Sequence, residues 1–159
     1  MTKLSMTKTI RQDLLEFRWQ RGLNLDEEHR LIWMAQLGSF IFPLPNFKWR
    51  REVINQHDAH HLLTGYSTSP KGELALASWE LGARCFKDWR ARALCRLLAF
   101  FGLVTQPWLT VSAFQKGRAQ AAEYERLIQQ DFLDMPAELA KAILTGQSPL
   151  KIKYGLSVV

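Results

Sequence analysis

Two histidines one helical turn apart, followed by a glutamate, form the most restrictive feature of this chain. The segment reads His57-Asp58-x-x-His61, and eleven residues separate His61 from Glu73. At about 100° per residue, a helix places His57, Asp58 and His61 on one side. Imidazoles four positions apart can bind one cation, and the carboxylate beside them adds negative charge. The spacing therefore predicts a helix here and a turn that returns Glu73 to the same cation.

These four side chains offer two nitrogen and two oxygen donors. Such a mixed set suits zinc, with iron, cobalt or manganese as alternatives, and the lack of thiolates argues against a closed structural zinc site. Val53 and Ile54 lie on the same side of the helix, so the ligands continue a core-facing apolar stripe. His60 lies off this stripe and is expected to neighbour the site. We expect a divalent metal ion with an open coordination position; the alternative is a polar helix face.

The motif resembles that of the Coq-four family of ubiquinone (coenzyme Q) biosynthesis proteins, in which His-Asp-x-x-His-x11-Glu supplies the metal ligands. The resemblance covers roughly residues 40–145 and is strongest over residues 57–81, which suggests a divergent, bacterial-type member. It implies that the metal ligands are His57, Asp58, His61 and Glu73.

The resemblance also implies a function. The substrate would be a prenylated hydroxybenzoate whose ring loses its carboxylate and is hydroxylated at the same carbon, while the prenyl tail lies between helices. Such a protein would be a lyase or an oxidoreductase. The alternatives are a non-catalytic, metal-containing lipid-binding or scaffold subunit, or an enzyme recruited to another small-molecule pathway. A His-Asp phosphohydrolase, which would use His29, is a further alternative.

Two more residues are candidates for the chemistry. The helix expected after the turn places Glu80 on the same face as Glu73, about 10.5 Å further along its axis. Glu80 is therefore predicted to orient a ligand or transfer a proton, with an exposed ion pair to Arg84 as the alternative. Arg50, on the motif helix, is a candidate anchor for a substrate carboxylate or phosphate. Its alternative is a solvated arginine beyond the buried face.

Hydrophobic periodicity and capping residues predict an all-α, single-domain bundle of about six to seven helices, with the metal motif on two adjacent helices. Asn46 is the predicted cap of the motif helix and Gly65 its end. Residues 1–8 and 147–159 are predicted to be flexible or docking tails. The predicted helices span residues 9–21, 24–38, 46–65, 71–82, 87–101, 107–131 and 136–144.

Composition bounds the partners and the compartment. The chain has 159 residues, a net charge of +6 and a pI near 9.6, but no nucleic-acid recognition motif, so nucleic acid is not an expected partner. The basic charge favours peripheral contact with an anionic membrane, with a solvated basic face as the alternative. A homodimer or a biosynthetic complex is a further expected assembly. The two cysteines, Cys85 and Cys95, lack redox or metal spacing, which is typical of a reducing compartment. We expect a cytoplasmic protein, peripheral at the inner membrane, without a membrane-spanning segment.

Overall fold

The structure is a computed structural model of the chain, and it describes residues 8–20, 22, 29–37 and 40–146. These residues form seven α-helices, a short 3-10 turn and an antiparallel hairpin, so the predicted all-α class is confirmed. The strands are β1 (Ile32–Leu37) and β2 (Phe40–Pro45), and the 3-10 turn is Phe132–Asp134. The helices are α1 (Ile10–Gln20), α2 (Lys48–Thr64), α3 (Pro70–Ala83), α4 (Trp89–Thr105), α5 (Pro107–Ala119), α6 (Ala121–Ile128) and α7 (Ala137–Leu144).

Helix α3 is the centre of the bundle. Nine of its 14 residues are buried, because α2, α4, α5 and α6 all pack against it. A helix that is apolar over most of its circumference is stable only when it is covered on every side. Trp79 of α3 and Tyr124 of α6 meet edge to face in the core, with ring centroids 5.8 Å apart. The central position of α3 brings its polar residues into contact with α2.

Helices α3 and α5 approach each other closely at two glycines. A Cβ atom on Gly117 would lie 2.1 Å from the carbonyl oxygen of Trp79, and one on Gly82 would lie 2.3 Å from that of Phe114. Both neighbours are backbone atoms of the facing helix, which cannot move without shifting the helix itself. The absence of side chains at these positions therefore sets the distance between the two helices.

Gly117→Ala is expected to lower the free energy of unfolding by about 1–3 kcal/mol, because the methyl group overfills this contact. Helix propensity alone predicts the opposite sign, a gain of up to about 1 kcal/mol. Urea unfolding of the variant measures the difference, with the exposed Ser112→Ala on the same helix as the control. A higher urea midpoint for Gly117→Ala would show that the helices do not touch here.

The predicted helix over residues 24–38 is wrong where the structure describes it. Residues 32–37 form β1 and pair with β2, with Ile32 opposite Pro45 and Met34 opposite Pro43. Both of these prolines lie within β2. Each strand of a two-stranded sheet has a free edge, where a residue without an N–H group is tolerated. Hydrogen bonding to residues 40–45 thus outweighed the helix preference of residues 32–37.

Smaller corrections concern helix ends. Helix α2 begins after Phe47, and the side chain of Asn46 does not cap it but donates to the carbonyl oxygen of Arg30 at 2.9 Å. Its predicted end is confirmed, since Gly65 adopts the left-handed conformation with φ 79°. The single helix predicted over residues 107–131 is divided at Gln120 into α5 and α6. The predicted tails, apart from Lys8, lie outside the described residues.

The division at Gln120 has a tertiary cause. Its side-chain oxygen accepts a hydrogen bond from the Trp79 indole at 2.8 Å, and its amide nitrogen donates to the carbonyl oxygen of Leu144 at 3.0 Å. Gln120 therefore joins α3 and α7 at the point where α5 ends. Across the described residues, no helix combines the length and apolar character needed to cross a bilayer.

Candidate metal centre

Helices α2 and α3 bring three of the four predicted ligands together. His57 and His61 lie one turn apart on α2, and Glu73 lies in the first turn of α3. The two glutamate oxygens face the two rings separately: Oε2 is 3.3 Å from His57 Nε2, and Oε1 is 3.2 Å from His61 Nε2. The ligand atoms of all three residues lie within 4.8 Å of one another. The predicted turn, ended by the Ser69 cap, produces this contact.

The outer nitrogen of each ring is held by an acceptor. His57 Nδ1 lies 2.9 Å from Glu80 Oε1, and His61 Nδ1 lies 2.8 Å from the carbonyl oxygen of Tyr66. A carbonyl oxygen and an ionised carboxylate accept hydrogen bonds only, so each Nδ1 carries the proton. In the neutral ring, each Nε2 then presents a lone pair toward Glu73. Metal-binding histidines are commonly oriented in this way.

The donor set fits a divalent cation. Two lone pairs and a carboxylate facing one another repel unless a proton or a metal ion lies between them. For metal–ligand distances of 2.0–2.2 Å, neighbouring ligands in a tetrahedral site lie about 3.4 Å apart, close to the separations seen here. His61 is buried, whereas the Glu73 side chain is 33% exposed. The site can therefore hold a metal ion through three protein ligands and keep one side accessible.

Asp58, the fourth predicted ligand, is directed elsewhere. Its Oδ2 accepts two hydrogen bonds from Arg18 of α1, from Nε at 2.8 Å and from Nη2 at 2.7 Å. Arg18 is 2% exposed and also donates to Asn55 at 2.8 Å. Asp58 lies about 100° around α2 from His57, which points it toward α1 instead of α3. Of the four predicted ligands, three could thus hold a metal ion together, and Asp58 forms a buried ion pair instead.

Glu80 lies behind the site, as its helical register predicts. Its side chain is 1% exposed, and Oε1 accepts from Nδ1 of both His57 and His60, at 2.9 and 2.7 Å. Glu80 therefore orients the rings of His57 and His60, and the alternative ion pair with Arg84 is not formed. His60 is a neighbour of the site, as expected. Its Nε2 lies 2.7 Å from the Tyr124 hydroxyl, which in turn accepts from Gln56 at 2.6 Å.

Charges in the site follow from these contacts. Burial raises the pKa of Glu73 and of Glu80, but the neighbouring histidines outweigh burial and lower each pKa to about 2. Burial lowers the pKa of His57, yet Glu80 and Glu73 raise it well above its usual value. Burial keeps the pKa of His60 below its usual value, so that ring is neutral and accepts from Tyr124. Glu73 and Glu80 are thus ionised, and a cation bound here would take the place of the proton that these carboxylates favour on His57.

Two sequence candidates lie apart from the three ligands. Arg50 is half-buried in the first turn of α2, where its Nη1 donates to Asn46 Oδ1 at 3.0 Å. It lies seven positions before His57, which corresponds to about 10.5 Å along the helix. His29 is exposed and does not join the ligand group. Asp58, which the phosphohydrolase alternative would use in a His-Asp dyad, is paired with Arg18.

Four residues that shape the site were not predicted from the sequence. Arg18 binds Asp58, the Tyr66 carbonyl fixes the ring of His61, and Tyr124 holds His60. Phe17, next to Arg18, stacks on the His61 ring at 5.9 Å between centroids. Arg18 and Tyr124 come from α1 and α6, far from the motif in the chain, and no local pattern marks them. Only the position of Tyr66, directly after the helix-ending glycine, offered a signal.

The arrangement can therefore bind a metal ion, hold two imidazoles in fixed orientations and leave an accessible side next to Glu73. No family model, curated protein or solved structure matches the chain. Any functional assignment consequently depends on the residues of the site and on the surfaces around it.

Proposed function

We propose that His57, His61 and Glu73 bind a divalent metal ion, zinc above iron, cobalt or manganese, in a protein of Coq-four-like, quinone-biosynthetic function. The reaction would be the decarboxylation of a prenylated hydroxybenzoate. One observation carries the proposal: both Nε2 atoms face the Glu73 carboxylate while acceptors hold both Nδ1 atoms. This arrangement leaves three donors for a cation and an open side for a substrate oxygen.

A metal bound here would act as a Lewis acid toward a phenolate or carboxylate oxygen of the substrate. The chain's own residues supply position and charge. Glu80 fixes the plane of His57, and because it is buried, it is a positioning residue that does not touch substrate. The partly exposed Glu73 carboxylate lies at the accessible side, where a substrate ring can approach. The proposal assigns no step to Arg50, whose guanidinium is bonded to Asn46.

An exposed apolar surface supports a hydrophobic substrate and membrane contact. Its members are large side chains of α4 and the start of α5 that are all at least 39% exposed: Trp89, Leu94, Leu97, Phe100, Phe101, Leu103, Val104, Trp108 and Val111. Exposed apolar patches on this scale mark interaction sites. Arg92 and Arg96 lie on the same helix and match the charge of an anionic bilayer. We propose that this surface rests on an anionic membrane from which a prenylated substrate is taken.

The same surface favours a second candidate function, a metal-containing lipid-binding subunit without catalysis. The two functions share the metal site and the membrane surface. They differ in whether the substrate ring changes, so a product measurement separates them.

Carbon dioxide release tests the reaction. The metal-loaded protein would be incubated with a prenylated 4-hydroxybenzoate carrying ¹³C in its carboxylate, in vesicles containing phosphatidylglycerol, under air and with ascorbate as the two-electron reductant. In the oxidative form, one oxygen atom of O₂ enters the ring, the other leaves as water, and the carboxylate carbon leaves as CO₂. We expect ¹³CO₂ release that depends on protein and metal, and that Glu73→Gln removes because it takes away a ligand.

Glu125→Gln, an exposed change on α6, is the matched control and should retain release. Vesicle binding without ¹³CO₂ release would instead support the lipid-binding function. Release unaffected by Glu73→Gln would contradict the proposed site.

A further inference from the structure

A cavity of about 470 Å³ lies beside α3 and the first turns of α4. Glu80, Cys85 and Cys95 line it, together with the apolar side chains of Leu81 and Phe86. Glu80 connects it to the metal centre, because Oε1 faces the histidines while Oε2 accepts from Cys95 Sγ at 3.5 Å. The cavity is of a size that takes small organic ligands. None of the three proposed metal ligands lines the cavity.

The remaining lining residues are all cations: Arg84, Lys87, Arg92 and Arg96. Within the part of the chain that the structure describes, their side chains form no hydrogen bond or ion pair. The nearby Arg90 contrasts with them, since it is paired with Asp88 at 2.8 Å. All four side chains are exposed, so water screens part of their mutual repulsion, and Glu80 is the single carboxylate in the lining that offsets them. A bound anion would remove this repulsion.

Two backbone features point the same way. Arg84 has φ 57°, the left-handed conformation that ends helices and that glycine adopts without strain. An arginine at this position makes the backbone less stable than a glycine would, and its side chain lines the cavity. Arg92 lies in the first turn of α4, where the helix dipole disfavours a positive charge. Each residue is unfavourable for local structure and favourable for holding an anion.

We infer that this cavity binds a small organic molecule carrying a phosphate or carboxylate group. The guanidinium groups would donate to the oxyanion, because their planar N–H groups match its geometry. The apolar body of the ligand would lie against Leu81 and Phe86. The inference does not rest on the proposed function, since His57, His61 and Glu73 do not line the cavity.

Isothermal titration calorimetry with phenyl phosphate, benzoate and inorganic phosphate tests the inference at constant ionic strength. We expect saturable binding of phenyl phosphate or benzoate. Arg92→Gln and Arg96→Gln should each weaken it by about tenfold, because each removes a charge-assisted hydrogen bond. Arg126→Gln, an exposed arginine on α6, is the matched control and should leave affinity unchanged.

Arg84→Gly gives a second, opposed readout. It should weaken anion binding while raising the melting temperature by about 2–4 °C, since glycine relieves the left-handed backbone. A merely solvated arginine would give the thermal shift without the loss of binding, and this result would overturn the inference. So would the absence of saturable binding, or equal weakening by Arg126→Gln.

The experiment also separates this cavity from the metal centre. Binding should survive treatment with a chelator and the Glu73→Gln change, because neither alters the lining cations. Loss of binding in either case would place the anion on the metal and overturn the assignment. If inorganic phosphate bound as tightly as phenyl phosphate, the inference that the ligand is an organic molecule would be overturned.

Discussion

Glu73→Gln is expected to lower metal affinity by more than about 100-fold, beyond the 10- to 100-fold range typical when an outer partner of a ligand is removed. The change replaces the anionic donor that faces both histidines, at 3.3 and 3.2 Å, with a neutral amide. Metal content by mass spectrometry after purification in zinc, followed by chelator competition, measures the effect. His61→Ala should give the same result, and Glu125→Gln should retain full stoichiometry.

Two further variants separate the roles of the surrounding carboxylates. Glu80→Gln should weaken metal binding by about 10- to 100-fold, because the oriented His57 loses its charged acceptor. Asp58→Asn should leave the metal stoichiometry at one, since Asp58 faces Arg18. Loss of metal in Asp58→Asn with retention in Glu73→Gln would refute the three-ligand site and restore an Asp58-centred one.

Arg18→Met is expected to lower the free energy of unfolding by about 3–5 kcal/mol, the usual effect of breaking a buried ion pair from one side. The Arg18 and Asp58 side chains are 3% and 12% exposed, so the variant leaves a buried carboxylate without its cation. Urea unfolding of the metal-free protein measures the loss. The double variant Arg18→Met/Asp58→Leu should recover most of it, because neither charge of this pair is then left buried without its partner.

The exposed ion pair between Arg11 and Asp134 is the natural control, since these side chains are 51% and 55% exposed. Arg11→Met should change stability by no more than about 1 kcal/mol. A loss for Arg18→Met as small as that for Arg11→Met would mean that the Arg18–Asp58 pair is solvated. If Arg18→Met does not fold, the recovery in the double variant still tests the assignment.

The part of the site that the sequence predicted correctly is the local part. His57 and His61 share a face because a helix repeats about every 3.6 residues. Gly65 ends that helix because glycine readily adopts the left-handed backbone conformation. Glu73 follows after a turn so short that the next helix must begin close to the end of the first. Glu80 could be placed for the same reason, since two helical turns separate it from Glu73. Each of these inferences needs only neighbouring residues.

The incorrect predictions share the opposite property. Residues 32–37 form a strand because residues 40–45 pair with them, although their own pattern favoured a helix. The break at Gln120 depends on Trp79 and Leu144, which lie on other helices. Asp58 was assigned to the metal because it lies beside His57, whereas its partner Arg18 lies 40 residues earlier.

The sequence by itself therefore determined that this chain is helical and that two imidazoles and a carboxylate share one site. Those features follow from helix periodicity and a short turn. Tertiary structure alone decided that Asp58 pairs with Arg18, that Glu80 supports His57 and His60 together, and that four cations surround one cavity. The physical reason is that helix periodicity fixes the direction in which a side chain points. Only the packing of the other helices determines which residue lies in that direction.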